Sequence, residues 1–319
     1  MTDARSPGPA PHEPMPQIQK TPLDALRRPL SFATAIALAS IAFAAAMVPA
    51  DAAAQEVKPQ EPSEGRRILF VGDSHAQGPF GWALDYLLRE GIKNSTVASY
   101  AVCASSPLSW IKGFKHFCGS LTRGEDFKSD PAQPGLLGGG LKGGTQRAPR
   151  LIDLLKQHTP DTVVISMGEN LKGMSSERTI TGVQGLVKRL ECYKRGVTVE
   201  DTCRELDLST LKPTRALSCA WILPPYSRSK GTQQSLQRLH DDITAAVGGT
   251  CVAIDSRPLT CKQGIKDPSF VCDSGNYHLS PQRDRFWALR VMDLLVQRLR
   301  LPLAREGFAS DTRKSWNIE

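Results

Sequence analysis

The sequence predicts an α/β fold with a central, mostly parallel five-stranded sheet. Short apolar runs alternate with longer amphipathic stretches, which is the pattern of repeated strand–helix units. The length of 319 residues and the 40% hydrophobic content also suit one domain with a full core. The predicted strands are 68–71, 96–102, 162–167, 217–223 and 251–255, and the predicted helices are 80–89, 148–158, 177–190, 232–247 and 281–299.

The amino-terminal region predicts export. An uncharged stretch at 30–48 follows Arg27-Arg28, and Ala50-Asp51-Ala52 offers small residues for cleavage. A stretch of this length also suffices for a retained membrane anchor, so both readings stay open. We divide the chain into a signal peptide or anchor with a polar extension at 1–52, a linker at 53–65, the main domain at 66–300 with a Gly-rich insertion at 118–146, and a polar tail at 301–319.

Cysteine usage indicates an oxidising compartment, with the periplasm or the outside of the cell as the destination. The chain has eight cysteines and no Cys-x-x-Cys pair, which favours disulfides over zinc. Cys219 and Cys251 precede two predicted parallel strands, whose spacing of about 4.8 Å suits a disulfide. The other expected pairs close loops, with some free buried thiols as the alternative; they are Cys103–Cys118, Cys192–Cys203 and Cys261–Cys272.

A candidate nucleophile follows the first predicted strand. Gly72-Asp73-Ser74 ends that strand and runs into a helical stretch, which leaves the Ser74 hydroxyl at the carboxyl edge of the sheet. Far along the chain, Asp273 and His278 stand just before the last amphipathic helix. A serine, a histidine and an acid are the parts of an acyl-transfer site.

In the order of these blocks the chain resembles the SGNH (GDSL-like) hydrolases over residues 66–300. The matching positions are Gly72-Asp73-Ser74, Ala104 where the family has a glycine, Asn170 in Gly168-Glu169-Asn170-Leu171, and His278. The resemblance implies a flavodoxin-like three-layer α/β/α sandwich. His75 and the His278-Leu279-Ser280 ending look most like bacterial SGNH domains that act on acetyl groups of envelope glycans.

The resemblance also assigns roles. Ser74 would be the nucleophile, His278 the general base and then acid, and Asp273 the group that orients the imidazole. The oxyanion would be bound by the N–H groups of Ser74 and Ala104 and by the Asn170 side chain. The chain departs from the family pattern in two places: Leu171 replaces an aspartate, and Asp273 lies five residues before the histidine instead of three.

Several neighbouring residues have two readings each. Asp73 is expected to cap the following helix turn. His75 either contacts substrate or is an exposed histidine at a helix start, and the other histidines (His116, His158 and His240) are expected at the surface. Tyr226 and Arg228 either flank a sugar site or belong to a solvated loop.

Glu169 supports an alternative function. As a general acid beside Asn170 it would cleave glycan chains such as peptidoglycan, with Asp73 or Asp273 as the second carboxylate. The plainer interpretation is that Glu169 points away from the site or pairs with Lys172. A non-catalytic glycan-binding or assembly protein that keeps the fold is a third hypothesis.

The charge of the chain indicates its partner. A formal net charge of +8 in an exported protein suits an anionic envelope polymer such as peptidoglycan or an acidic polysaccharide. Nucleic acid is not expected, because export and the lack of a base-stacking motif argue against it. The sequence therefore predicts an exported esterase or O-acetyltransferase acting on acyl groups of an envelope glycan, without a metal or other cofactor, and with membrane contact only through an uncleaved anchor.

Overall fold

The computed structural model describes residues 65–128, 141–226, 232–260 and 279–318. The nine strands of this described part are β1 Arg67–Gly72, β2 Thr96–Val102, β3 Lys115–His116, β4 Ser120–Arg123, β5 Leu141–Lys142, β6 Gln146–Arg147, β7 Thr162–Ser166, β8 Ser218–Ile222 and β9 Val252–Ile254. Its ten α-helices are α1 Ser74–Gln77, α2 Pro79–Gly91, α3 Pro107–Lys112, α4 Leu151–His158, α5 Ser176–Lys194, α6 Glu200–Glu205, α7 Thr232–Val247, α8 Arg257–Thr260, α9 Pro281–Leu299 and α10 Phe308–Ser315.

The central sheet has the order β5-β4-β2-β1-β7-β8-β9. Its five parallel strands are the five predicted ones, and taken in chain order they lie 2-1-3-4-5 across the sheet. This is the flavodoxin-like order of doubly wound sheets. The predicted fold class is therefore confirmed, with two antiparallel strands, β4 and β5, added beside β2.

Helices cover both faces of the sheet, so its strands are buried on both sides. In β1, Ile68 and Phe70 pack into one core with α2, α9 and α10, whereas Leu69 and Val71 pack into a second core with α4, α5 and α7. Such strands appear in the sequence as continuous apolar runs, which is why they were recognisable.

The insertion at 118–146 is attached to the main domain at its amino-terminal end. Arg123 of β4 donates to the buried Asp85 of α2 at 2.7 Å, and its guanidinium lies 3.6 Å from the ring centroid of Trp82. The insertion therefore continues the sheet beside β2, where the sequence suggested only an irregular Gly-rich loop.

The end of the chain also differs from the predicted polar tail. Residues 308–315 form helix α10, and Phe308 and Trp316 are buried in the core on the α2 side. The Tyr86 ring lies 6.4 Å from the Phe308 ring and 5.7 Å from the Trp316 ring, measured between centroids. Two aromatic rings thus anchor a segment whose remaining side chains are mostly polar.

Three of the four expected disulfides are present: Cys103–Cys118, Cys192–Cys203 and Cys219–Cys251. The predicted pair Cys261–Cys272 lies outside the described residues, and no cysteine within them is free. Three disulfides are typical of a protein that folds in an oxidising compartment. Among the described helices, none combines the length and hydrophobicity needed to cross a bilayer.

Candidate active site

Ser74 lies where the sequence predicted it, at the carboxyl end of the central strand β1. The strand ends at Gly72, and Ser74 is the first residue of α1, with its side chain half-buried. A Cβ on Gly72 would lie 2.2 Å from the Ala76 Cβ and 2.8 Å from the Ser166 carbonyl oxygen. Only glycine fits this sharp change from strand to helix, so Gly72 sets the direction in which Ser74 leaves the sheet.

Asp73 joins the ends of two neighbouring strands. Its Oδ1 accepts a hydrogen bond from the His75 N–H at 3.1 Å, and its Oδ2 accepts one from the Gly168 N–H at 3.2 Å. The Asp73 N–H in turn donates to the Ser166 carbonyl at 3.0 Å. Asp73 is fully buried, and this burial raises the pKa of its carboxyl group. The side chain therefore caps α1, as expected, and also fixes the loop after β7.

The turn after β2 presents Ala104 in the left-handed conformation, with φ 58°. This is the conformation that glycine adopts most readily, and the SGNH pattern has a glycine at this position. The next residue, Ser105, attaches the turn to the end of β1. The Ser105 hydroxyl lies 3.4 Å from the Gly72 carbonyl oxygen and accepts a hydrogen bond from the Trp110 indole at 3.0 Å.

Asn170 lies in the short 3-10 turn Glu169–Leu171 that follows β7. Its side-chain Nδ2 donates to the Ser105 carbonyl at 2.9 Å, which brings the Gly168–Leu171 motif against the turn that contains Ala104. Gly168 precedes this turn with φ 151°, and a Cβ there would lie 2.6 Å from the Pro224 Cγ. Leu171, which replaces the family's aspartate, is buried in the core on the α5 side.

Glu169 is engaged in ion pairs. Its carboxylate pairs with the Lys172 ammonium, and its Oε2 lies 3.8 Å from the His75 Nε2. Burial raises the pKa of Glu169, but the interaction with His75 and the charge of Lys172 outweigh that effect and leave the pKa lowered. Glu169 therefore pairs with Lys172, as the plainer interpretation of its sequence position predicted. A carboxylate held in its charged form is poorly suited to act as a general acid.

His75 is buried, so the prediction of an exposed histidine at the helix start is wrong. Its side chain is 3% exposed and meets the Trp287 ring edge to face, at 5.6 Å between centroids. Burial lowers the pKa of His75, but Glu169 and Asp73 outweigh it and raise the pKa overall. The imidazole is therefore a buried neighbour of Glu169 and Trp287.

Asp284 is a site neighbour that the sequence analysis missed. It lies in the first turn of α9 and is 2% exposed. Burial raises its pKa to about 7, partly offset by the charge of His75 and a hydrogen bond from the Phe80 backbone. No sequence signal marked it, because a carboxyl group in the first turn of a helix ordinarily faces water and stabilises the helix dipole.

Two other histidines are also buried, contrary to the expectation of surface positions. His158 Nδ1 lies 2.8 Å from the Glu125 Oε1, and its Nε2 lies 2.8 Å from the Tyr100 hydroxyl. His240 Nε2 lies 2.9 Å from the Pro224 carbonyl oxygen. Each ring joins a helix to a neighbouring segment, and neither contacts the Ser74 motif.

The remaining predicted site residues divide into two groups. Tyr226 is described: its backbone N–H donates to the Thr260 hydroxyl at 3.2 Å, and its ring packs beside the core on the α7 side. His278, Asp273 and Arg228 lie outside the described residues.

Within the described part of the chain, no cluster of His, Cys, Asp and Glu side chains could hold a metal ion.

Comparison with known proteins gives structural neighbours only. No protein-family model and no curated protein matches the chain. A carbohydrate acetylesterase from Sinorhizobium meliloti is 14% identical, with 74% of this chain and 100% of that one covered and a TM-score of 0.43. An aryl esterase from M. smegmatis is 14% identical, with 73% and 99% covered and a TM-score of 0.43. A family two carbohydrate esterase from Clostridium thermocellum is 14% identical, with 76% and 66% covered and a TM-score of 0.39. All three are described as esterases.

Proposed function

We propose that this chain is an exported SGNH-like serine esterase or O-acetyltransferase that acts on acyl esters, chiefly acetyl, of a cell-envelope glycan. One observation carries the proposal. Three loops that follow three different parallel strands meet at one edge of the sheet and are hydrogen-bonded to one another. They bring a candidate nucleophile and two candidate oxyanion donors to the same edge of the sheet: Ser74, the Ala104 turn and Asn170.

The chemistry begins at the Ser74 hydroxyl. His278 would remove its proton as Ser74 Oγ attacks the ester carbonyl, giving a tetrahedral oxyanion. Collapse of that intermediate breaks the bond to the sugar oxygen, which leaves as an alcohol with the proton from His278, and the acyl group stays on Ser74. Attack by water then gives hydrolysis, whereas attack by another sugar hydroxyl gives transfer. Asp273 would orient the imidazole in both halves of the reaction.

The Asn170 amide is suited to bind the oxyanion. A side-chain NH2 group carries two protons, and the hydrogen bond to the Ser105 carbonyl uses one of them. The second N–H is left for a ligand, and the first holds the amide plane in place. Together with the N–H groups of Ser74 and Ala104, this gives a preorganised oxyanion site.

Export and a glycan substrate rest on more general observations. Three disulfides suit the periplasm or the extracellular space. The formal net charge of +8 suits an anionic envelope polymer. The competing glycan-cleaving function needs a protonated Glu169, and the lowered pKa of that group argues against it. An unreactive Ser74 would instead favour a non-catalytic binding protein.

The test is acylation of the full chain by a small activated ester such as p-nitrophenyl acetate, followed by mass spectrometry. We compare the unaltered chain with Ser74→Ala and with Ser209→Ala, an exposed serine far along the sequence. An acetyl adduct on the unaltered chain and on Ser209→Ala, absent from Ser74→Ala, supports the proposal. If the unaltered chain forms no adduct and releases p-nitrophenol no faster than Ser74→Ala, the serine mechanism is wrong. Glycan fragments released by that unreactive chain, and lost in Glu169→Gln, would then favour chain cleavage.

A further inference from the structure

An exposed ridge of alternating apolar and basic side chains runs through α3 and β3. Its apolar members are unusually accessible: Leu108 is 41% exposed, Phe114 44% and Phe117 82%. Lys112 and Lys115 are exposed between them. We call these five residues the α3–β3 ridge. Exposed apolar side chains that gather on one segment are typical of an interaction surface.

The chain segments that form the ridge and the strands beside it carry basic but no acidic side chains. The sequence has no Asp or Glu from residue 104 to 124 or from 141 to 152. Two further exposed cations lie on the strands beside the ridge: Arg147 is opposite Lys115 in the β3–β6 pair, and Lys142 is opposite Ser120 in the β4–β5 pair. The ridge is therefore a basic surface with aromatic groups, and it attracts an anionic partner.

The ridge is directly connected to the candidate active site. The disulfide Cys103–Cys118 joins its carboxyl-terminal end to the residue before Ala104, and the Cys103 N–H donates to the Gly119 carbonyl at 3.1 Å. The side chain of Gln77, in the nucleophile helix α1, lies against the same segment: its Nε2 is 3.1 Å from the position of a Cβ on Gly119. A polymer extending from Ser74 toward β3 would cross this surface.

We propose that the α3–β3 ridge binds an acidic polysaccharide. Apolar faces of the sugar rings would lie on Phe114 and Phe117, and the negative groups of the polymer would pair with the lysines. A cation and an aromatic ring are close neighbours in the ridge, because the Lys112 Nζ lies 6.0 Å from the centroid of the Phe114 ring. That arrangement matches a ligand whose charge and apolar surface alternate along its length. An inserting membrane anchor instead presents its apolar groups below its cations.

This inference rests on the proposed function, because it assigns the polymer that carries the ester. Its test therefore separates binding from turnover. The full chain with Ser74→Ala is titrated with polygalacturonate, an acidic polysaccharide without acyl groups, and with neutral dextran. The ridge variant adds Lys112→Ala, Lys115→Ala and Phe117→Ala. The matched control adds Lys156→Ala, Lys212→Ala and Val199→Ala, which remove the same charge and one exposed apolar side chain elsewhere.

We expect polygalacturonate to bind and dextran not to bind. The ridge variant should bind polygalacturonate at least about tenfold more weakly, and the control should stay within about twofold of the parent. Equal weakening of both variants would overturn the proposal, since binding would then follow net charge alone. Binding to phosphatidylglycerol vesicles without binding to polygalacturonate would also overturn it in favour of a membrane surface.

The two proposals fail in different ways. If Ser74 forms no acyl adduct but the ridge variant loses polygalacturonate binding, the esterase proposal is wrong and the ridge proposal holds. If the adduct forms and the ridge variant binds normally, the ridge proposal is wrong and the esterase proposal holds.

Discussion

The substitution Asp284→Asn should remove much of the pH dependence of folding stability. Asp284 lies in the first turn of α9, almost fully buried, near His75 of α1 and the Phe80 backbone of α2, with Arg283 beside it in its own helix. Within the described residues, its Oδ1 has no hydrogen-bond partner. Asparagine has nearly the same shape, can still accept from the Phe80 N–H, and carries no charge to bury.

The magnitude follows from the difference between the folded and unfolded pKa values. Burial raises the pKa of Asp284 from 3.8 to about 7. For an acid whose folded pKa is raised, the favourable contribution is complete below the unfolded pKa and is lost as the pH rises through the folded pKa. The full difference corresponds to about 4 kcal/mol in the free energy of unfolding. Of this, about 3 kcal/mol is lost between pH 5 and pH 8.

His75 contributes in the same direction, because its pKa is also raised in the folded state. Its stabilisation is therefore lost as the pH rises as well, and the unaltered protein should show a steeper slope than Asp284 alone would give. The substitution removes the part that belongs to Asp284 and the share of the raised His75 pKa that comes from the Asp284 charge, while Glu169 and Asp73 still raise the His75 pKa. A residual decline with pH in Asp284→Asn is thus expected.

The assay is equilibrium unfolding in guanidinium chloride at pH 5, 6.5 and 8, with the disulfides intact. Asp126→Asn, a change of the same kind at an exposed carboxylate, is the control. At pH 8, where the whole difference applies, Asp284→Asn should be more stable than the unaltered protein by about 4 kcal/mol, which corresponds to roughly 8–16 °C in Tm for a domain of this size. Equal pH slopes for Asp284→Asn and the unaltered protein would refute the reasoning, as would a loss of stability at pH 8.

Three further predictions concern the site and its support. Asn170→Ala should lower kcat for an activated ester by about 10²–10³ with little change in KM, because the amide donor acts on the oxyanion. Stopped-flow kinetics measures both constants, and an unchanged kcat would exclude Asn170 from the oxyanion site. Gly168→Ala should destabilise the fold by about 3 kcal/mol, because its positive φ and the contact with Pro224 both oppose a Cβ; a Tm within about 2 °C of the unaltered protein would contradict this. Replacing Cys219 and Cys251 by alanine removes a disulfide with a sequence separation of 32 and should lower the free energy of unfolding by about 4 kcal/mol. Denaturant unfolding measures this, and an unchanged midpoint would show that strand pairing alone holds the two strand ends together.

Much of the fold was predictable because its signals are local. Each parallel strand is buried on both faces and therefore appears as an apolar run, and each helix between strands has an amphipathic period. The Cys219–Cys251 pair followed from the expectation that two strands beginning with cysteine are neighbours. The short strands β4 and β5 were missed, because four and two residues are too few to display an alternating pattern.

The candidate site divides in the same way. The sequence by itself determined the position of Ser74 after a strand and the likeness of Ala104 and Asn170 to oxyanion donors, because these depend on motifs read along the chain. Only the tertiary structure decided that Glu169 is held as a charged partner of His75 and Lys172, and that Asp284 is buried near His75. The physical reason is that burial and ion pairing depend on side chains far apart in sequence, which only the packing of the folded chain brings together.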